Sequence, residues 1–242
     1  MFFWILLLAH VIGDFPLQTD YIYQFKRKSF WGVLPHSFIC TVMNGLVLLP
    51  FLAKGQIWIA IFFLLVSHAI LDRSKIVISD KYTGENLFHF LLDQVLHILL
   101  IWIVATWLSL SIDYYSFQIP GLLGNRELVI SLVALIFAAF GGTPIIFYLQ
   151  QFWARKKKGP NAVSNIQYPP FLKRLPGFFE RFLATLGLIW GGYWLALTLF
   201  VFFPRIILNW RDNDRHLTLV SAIAGLFISI FCGLFVLFFT QS

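Results

Sequence analysis

Seven stretches of this chain are each apolar enough to cross a bilayer, at about 2–22, 34–52, 57–73, 87–109, 128–151, 178–203 and 217–240. A spanning helix needs roughly 20 mostly apolar residues. Within lipid, only helices and closed barrels satisfy their own backbone groups. Composition closes off the soluble alternatives. The chain is 59% hydrophobic and 12% charged, with a mean hydropathy of +0.80, whereas soluble domains spend about a quarter of their residues on charge. A disordered chain is excluded by the same numbers. Two distant cysteines, Cys40 and Cys232, cannot frame a disulfide scaffold. The expected fold is all-α, a polytopic membrane bundle of about seven transmembrane helices.

The first apolar run reads as a membrane helix rather than a cleaved signal, because it continues through His10, Asp14 and Pro16 with no small-residue cleavage site. Lys54-Gly55-Gln56 reads as a short turn, and Pro120-Gly121 as the break after the fourth span. Residues 155–174 form the longest polar connection, a basic loop ended by Pro169 and Pro170. The segment from Pro170 to Phe182 alternates basic and aromatic residues, and is expected to lie in the interface ahead of the sixth span. Two regions follow: a four-helix membrane domain over 1–110, and three further membrane helices over 111–242 with the basic loop between them.

With seven spans, the loops alternate sides. One side receives Lys26, Arg27, Lys28, Arg73, Lys75, Lys81, Arg155, Lys156, Lys157, Lys158, Lys173, Arg174 and Arg181; the other receives Lys54, Arg126, Arg205, Arg211 and Arg215. Thirteen against five places the first group in the cytoplasm, the N-terminus outside and the C-terminus inside. The net charge of +7 is therefore membrane topology first, and nucleic acid is not an expected partner.

Ionisable side chains inside a span are costly and carry a functional expectation. Here they crowd the first half: His10, His36, His68, His89 and His97, with Asp14, Asp72 and Asp93. His10 and Asp14, His68 and Asp72, and Asp93 and His97 are each four apart, so each pair shares one helix face. Spans one and three run inward and read His then Asp. Span four runs outward and reads Asp then His. All three aspartates thus lie toward one membrane end, with the histidines roughly 6 Å deeper. His36, in the first turn of span two, joins them. A lone polar residue in a span is more often a helix–helix hydrogen bond than a ligand; three pairs at matched depth point to more.

His10, Asp14, His36, His68, Asp72, Asp93 and His97 suit a divalent metal, which would supply the missing counter-charge. Seven candidates exceed one tetrahedral ion, and two ions would use them more fully. Zinc is the first expectation; manganese and iron suit the same donors. Cys40, with no partner cysteine, reads as a small buried residue that takes no part. His89, a turn before Asp93, reads as an interface residue, and His216 as part of a solvated charged turn. Asp72, Asp93 and Lys75 are the expected catalytic groups. Gln18, Gln94 and Lys26 are expected to orient substrate, although most flanking cations also serve as ordinary membrane anchors.

The run His10-Val-Ile-Gly-Asp14-Phe-Pro-Leu-Gln18 with Lys26 and His36, then His68-Ala-Ile-Leu-Asp72-Arg-Ser-Lys75, then Asp93-Gln94-Val-Leu-His97, resembles a bacterial integral-membrane family of unknown function over about residues 1–110. That family is grouped loosely with membrane-bound metal-dependent hydrolases. The resemblance implies a bacterial plasma (inner) membrane location and a metal-dependent hydrolase, and gives no substrate.

The expected function is hydrolysis of an anionic, lipid-like phosphoester at the cytoplasmic interface by a metal-activated water. No GxSxG motif supports a serine nucleophile. Two rivals use the same residues: a divalent-ion or proton transporter, and a non-catalytic subunit docking another membrane protein. Against transport, the ligands crowd one end rather than the midplane. Membrane lipids are the expected partners, with a membrane-protein partner or a second copy engaged through the C-terminal helices.

Overall fold

A computed structural model describes residues 1–82, 84–117, 119, 121–158, 166–208 and 215–241. Pro120, residues 159–165 of the basic loop and residues 209–214, Arg211 among them, lie outside these. All regular structure among the described residues is helical, so the expected all-α bundle is the fold found. Among the described residues, five stretches are long and apolar enough to cross a membrane: Phe30–Val47, Gly55–Lys81, Leu87–Ser111, Arg126–Lys157 and His216–Thr240. The chain divides into two compact units, Met1–Val133 and Ala134–Ser242.

In the first unit, α1 (Phe2–Asp14) is apolar on every side and buried almost throughout. That is the pattern of a helix enclosed by others. It packs on α3 (Val33–Val47) and α5 (Leu87–Ser111), and α4 (Gly55–Tyr82) packs on the same two. The four therefore close a ring. Phe2, Phe51 and Tyr114 seal one end, with ring centroids 4.9–5.1 Å apart.

The first expected span, 2–22, is not one helix. It stops at Asp14, with the Phe15 amide still bonded to the Val11 carbonyl, because Pro16 lacks the N–H that the next rung of the ladder needs. A separate amphipathic helix, α2 (Asp20–Lys28), follows. The Thr19 hydroxyl caps it by accepting from the Ile22 amide, and its last turn is basic. A short 3-10 turn, Phe30–Gly32, leads into α3. The last helix begun in this unit is α6 (Arg126–Ile136).

The second unit holds a π-helical turn (Phe137–Gly141), α7 (Gly142–Lys158), α8 (Phe171–Trp190), α9 (Leu195–Phe200), α10 (Phe203–Leu208) and α11 (Arg215–Gln241). Here the sixth expected span, 178–203, is replaced by two legs. The basic–aromatic segment from Phe171 is already helical and forms the first turns of α8. The chain then reverses at Gly191 and Gly192, both at positive φ (67° and 56°), where only glycine is unstrained. The return leg runs antiparallel to α8: Thr198 donates to the Ala184 carbonyl, and Arg205 reaches Glu180.

This extra reversal overturns two sidedness expectations. Arg205 lies beside Glu180, at the end of α8 that carries Lys173 and Arg174, not across the membrane from them. α11 pairs with α8 in parallel, Ser229 against Arg181 and Gly233 against Leu188. The C-terminal end of α11 therefore lies opposite the basic start of α8, whereas seven alternating spans would put both on one side.

Candidate metal centre

The ring of α1, α3, α4 and α5 directs its polar side chains inward at one level. Asp14 ends α1, His36 and Cys40 stand one turn apart on α3, His68 and Asp72 one turn apart on α4, and Asp93 and His97 one turn apart on α5. All seven are buried, His36 and Asp72 at 0% and 1% exposure.

The tightest grouping joins two imidazoles and two carboxylates. His36 Nε2 lies 3.2 Å from Asp14 Oδ1 and 3.6 Å from Asp72 Oδ2; His68 Nε2 lies 3.4 Å and 3.6 Å from the same atoms. Bonds of about 2.0–2.1 Å, the usual zinc–nitrogen and zinc–oxygen lengths, make a tetrahedron with edges of about 3.3–3.4 Å. These four separations are of that size. Cys40 Sγ stands 3.6 Å from Asp14 Oδ1 and 3.8 Å from His36 Nε2, so the thiol belongs to this cluster. Cys40 is buried as expected, but it stands among the possible donors rather than apart from them. Its four-residue spacing from His36 was the available signal, the same one that marked the His/Asp pairs.

A second grouping, His68, Asp72 and His97, adjoins the first. The His10 ring stacks on His97 with centroids 5.1 Å apart, and His97 stands 4.4 Å from His68. The tautomer of His97 follows from its neighbour. Its Nδ1 lies 2.8 Å from the Asp93 main-chain carbonyl, which can only accept, so Nδ1 carries the proton and Nε2 keeps a lone pair. His10 Nε2, His68 Nε2 and His97 Nε2 are buried without any hydrogen-bond partner. Beside them is a void of about 20 Å³, lined by His10, Cys40, Asn44, His68 and His97, space for about one water or one ion.

The charges are unevenly settled. Lys26, from α2, donates to both Asp72 oxygens at 3.1 Å, and Lys75 reaches Asp93 Oδ2 and Glu85 Oε1 at 3.3 Å each. Among the described residues, Asp14 faces no ammonium or guanidinium. Its carboxylate meets His10, His36, His68, Cys40 and the Gln94 amide, which donates to Asp14 Oδ2 and Asp93 Oδ2 at 3.3 Å. A buried charge needs a counter-charge. One proton on one imidazole would leave the remaining lone pairs stranded, whereas a divalent cation satisfies the carboxylate and the rings together. The donor set fits such an ion.

The remaining residues divide. Gln18 donates to the Asp14 main-chain carbonyl at 2.7 Å, finishing α1 rather than facing the cluster. His89 stays outside, its Nδ1 3.2 Å from the Gly84 carbonyl, and His216 is exposed. Glu85 went unrecognised in the sequence. Lying between α4 and α5, it gathers Lys75, the Tyr23 hydroxyl and Arg27. Burial and the neighbouring Glu85 push the Tyr23 hydroxyl up to about 12. Burial raises the Glu85 carboxyl, but Lys75, Tyr23 and Arg27 outweigh it and hold the group below its ordinary value. This cluster ties α2 down over the site.

Comparison with known proteins reaches the N-terminal half. Residues 2–121 match the family described as "Protein of unknown function (DUF3307)". The stretch matching DUF3307 contains every residue of the cluster. No curated protein and no solved structure matches the chain.

Proposed function

We propose that the N-terminal unit is a membrane-embedded, metal-dependent hydrolase of an anionic, lipid-like ester, working at the inner face of a bacterial plasma membrane. The observation that carries the reading is the set of His36 Nε2, His68 Nε2, Asp14 Oδ1 and Asp72 Oδ2 at N···O distances of 3.2–3.6 Å, with no ammonium or guanidinium on Asp14 among the described residues. Cys40 is the alternative fourth donor, and His97 with His10 would hold a second ion.

A divalent ion held there supplies Lewis acidity toward water and toward an ester oxygen. The protein's own groups do the rest. Asp93 Oδ1 is buried with no hydrogen-bond partner, so it can take a proton from water, while Lys75 and Gln94 fix its other oxygen. Lys75, occupied by two carboxylates, is a positioning residue for Asp93 rather than a substrate contact. Lys26 holds Asp72 in place. Because α2 covers this end, substrate reaches the cluster when the Tyr23–Arg27–Glu85 tie opens.

The test is metal analysis of the purified protein, followed by turnover of short-chain phosphoesters. The reading requires bound zinc, manganese or iron, lost in His68→Ala, and turnover lost in Asp93→Asn with metal retained. Metal without turnover, but with ion flux into liposomes, would replace the enzyme with a transporter. No metal at any loading would end both.

A further inference from the structure

The outer side of the first unit is apolar, as a surface facing lipid must be, but it is not uniform. On α5 the exposed residues Leu92, Val95, Leu99 and Trp102 form a plain stripe without charge. Between the 3-10 turn, the start of α3 and the second half of α4 there is instead a groove of about 460 Å³. Phe30, Trp31, Leu34, Ile70 and Val77 line it around Arg73. That volume falls within the range of about 300–1,000 Å³ usual for ligand sites. Along α4 the lining runs from Ala69 to Ile78, about 14 Å at about 1.5 Å of rise per residue. One leaflet of a hydrocarbon core about 30 Å thick is about 15 Å deep, so the groove matches the depth that one acyl chain occupies.

The cation sets this groove apart. Arg73 is half-buried, and its guanidinium lies over the Phe30 ring, 5.5 Å from the centroid. Cations near it are answered by carboxylates: Lys26 by Asp72, Arg27 by Asp80 and Glu85, Lys75 by Asp93 and Glu85. Every acid of Met1–Val133 is among the described residues, and none of them forms an ion pair with Arg73. A guanidinium suits the oxygens of a phosphate group. Depth agrees, because Phe30 and Trp31 follow the basic last turn of α2 directly, the aromatic and basic pairing that marks a membrane–water boundary. Apolar walls around one unanswered cation complement an amphiphile with the opposite pattern, a negative head on an apolar tail. A free anion would leave the walls bare, and a neutral lipid would leave Arg73 unanswered.

We propose that this groove binds one anionic phospholipid, with its headgroup at Arg73 and one acyl chain laid against Leu34 and Ile70. Nothing in the site draws on the buried cluster, so the inference stands whether or not the N-terminal unit binds a metal.

The experiment is photolabelling of the full chain in phosphatidylcholine vesicles. They carry a trace of phosphatidylglycerol, or of phosphatidylcholine, with a diazirine in one acyl chain, and labelled residues are mapped by mass spectrometry. The phosphatidylglycerol probe is expected to label residues 30–34 and 69–78 at least fivefold more than residues 92–103 of α5, and the phosphatidylcholine probe to label both alike. Arg73→Gln should remove that excess, while Arg73→Lys, which keeps the charge, should retain most of it. Ile70→Trp, at an exposed apolar position, should fill the groove and abolish its label without changing that on α5, which covers the case of Arg73→Gln folding poorly. Lys28→Gln, an exposed cation outside the groove, should change nothing. Even labelling of groove and α5, equal labelling by the two probes, an excess untouched by Arg73→Gln, or one equally reduced by Lys28→Gln overturns the proposal. So does a groove that neither probe labels because a second copy of the chain covers it.

Discussion

Arg181 and Asp14 are both charges buried on apolar helices, at 3% and 5% exposure, and the molecule treats them differently. Around Arg181 the backbone itself is altered. The π-helical turn Phe137–Gly141 interrupts the regular ladder, and the Ala138 and Ala139 carbonyls accept from the guanidinium. Around Asp14 nothing comparable happens. Three imidazole nitrogens have no hydrogen-bond partner, and the carboxylate has only titratable or neutral neighbours among the described residues. A buried charge whose hydrogen bonds are completed is a structural fixture. One surrounded by unpartnered ring nitrogens is the arrangement that the proposed metal would complete.

The largest test of this contrast removes one of those ring nitrogens. His68→Ala is expected to lower bound metal at least tenfold, and a chelator should lower the melting temperature of the parent protein but not of the variant. A similar melting temperature for both before and after chelation would erase the distinction between the units.

Next in size is the opposite operation. Arg181→Met leaves the Ala138 and Ala139 carbonyls unsatisfied and should cost about 2–6 kcal/mol, at about 1–3 kcal/mol per orphaned group, with metal content unchanged. Denaturant unfolding and metal analysis on one sample check both halves. Gly13→Ala probes how closely the first unit is set: a Cβ there would stand 2.7 Å from Cys40 Sγ, pushing α1 off α3. About 1–3 kcal/mol of destabilisation should come with weaker metal retention.

The smallest effect concerns the tie over the site. Glu85 is held below its ordinary value by Lys75, Tyr23 and Arg27 against the opposing effect of burial. A depressed carboxyl contributes stability that is full above its unfolded pKa, about 4.3, and lost as the pH falls through the lower folded value. Acid unfolding should therefore be steeper below about pH 4.3 in the parent than in Glu85→Gln. Equal steepness would show that the tie carries no stability.

How much of this was legible beforehand depended on whether a signal was local. Pairs four residues apart share a helix face by geometry alone, so His10/Asp14, His68/Asp72 and Asp93/His97 could be read directly, and the structure brings them together. Cys40 obeyed the same spacing from His36, but was discounted for want of a second thiol. The interruption at Pro16 was visible yet outweighed by continuous hydrophobicity. The reversal at Gly191-Gly192 was hidden because both legs are apolar, and two short legs read as one long span. The pairing of Lys26 with Asp72 and the grip of Glu85 on α2 were illegible for another reason. The residues joined are 46 and 58–62 apart in the chain, so only tertiary packing reveals that one neutralises Asp72 and the other anchors α2.

Lys26 deserves a last consequence. It is the one cation of the cluster carried by the covering helix rather than by the ring. On the reading proposed above, lifting α2 to admit a solute would withdraw an ammonium from Asp72 in the same motion. Opening this end and baring a buried carboxylate would then be a single event.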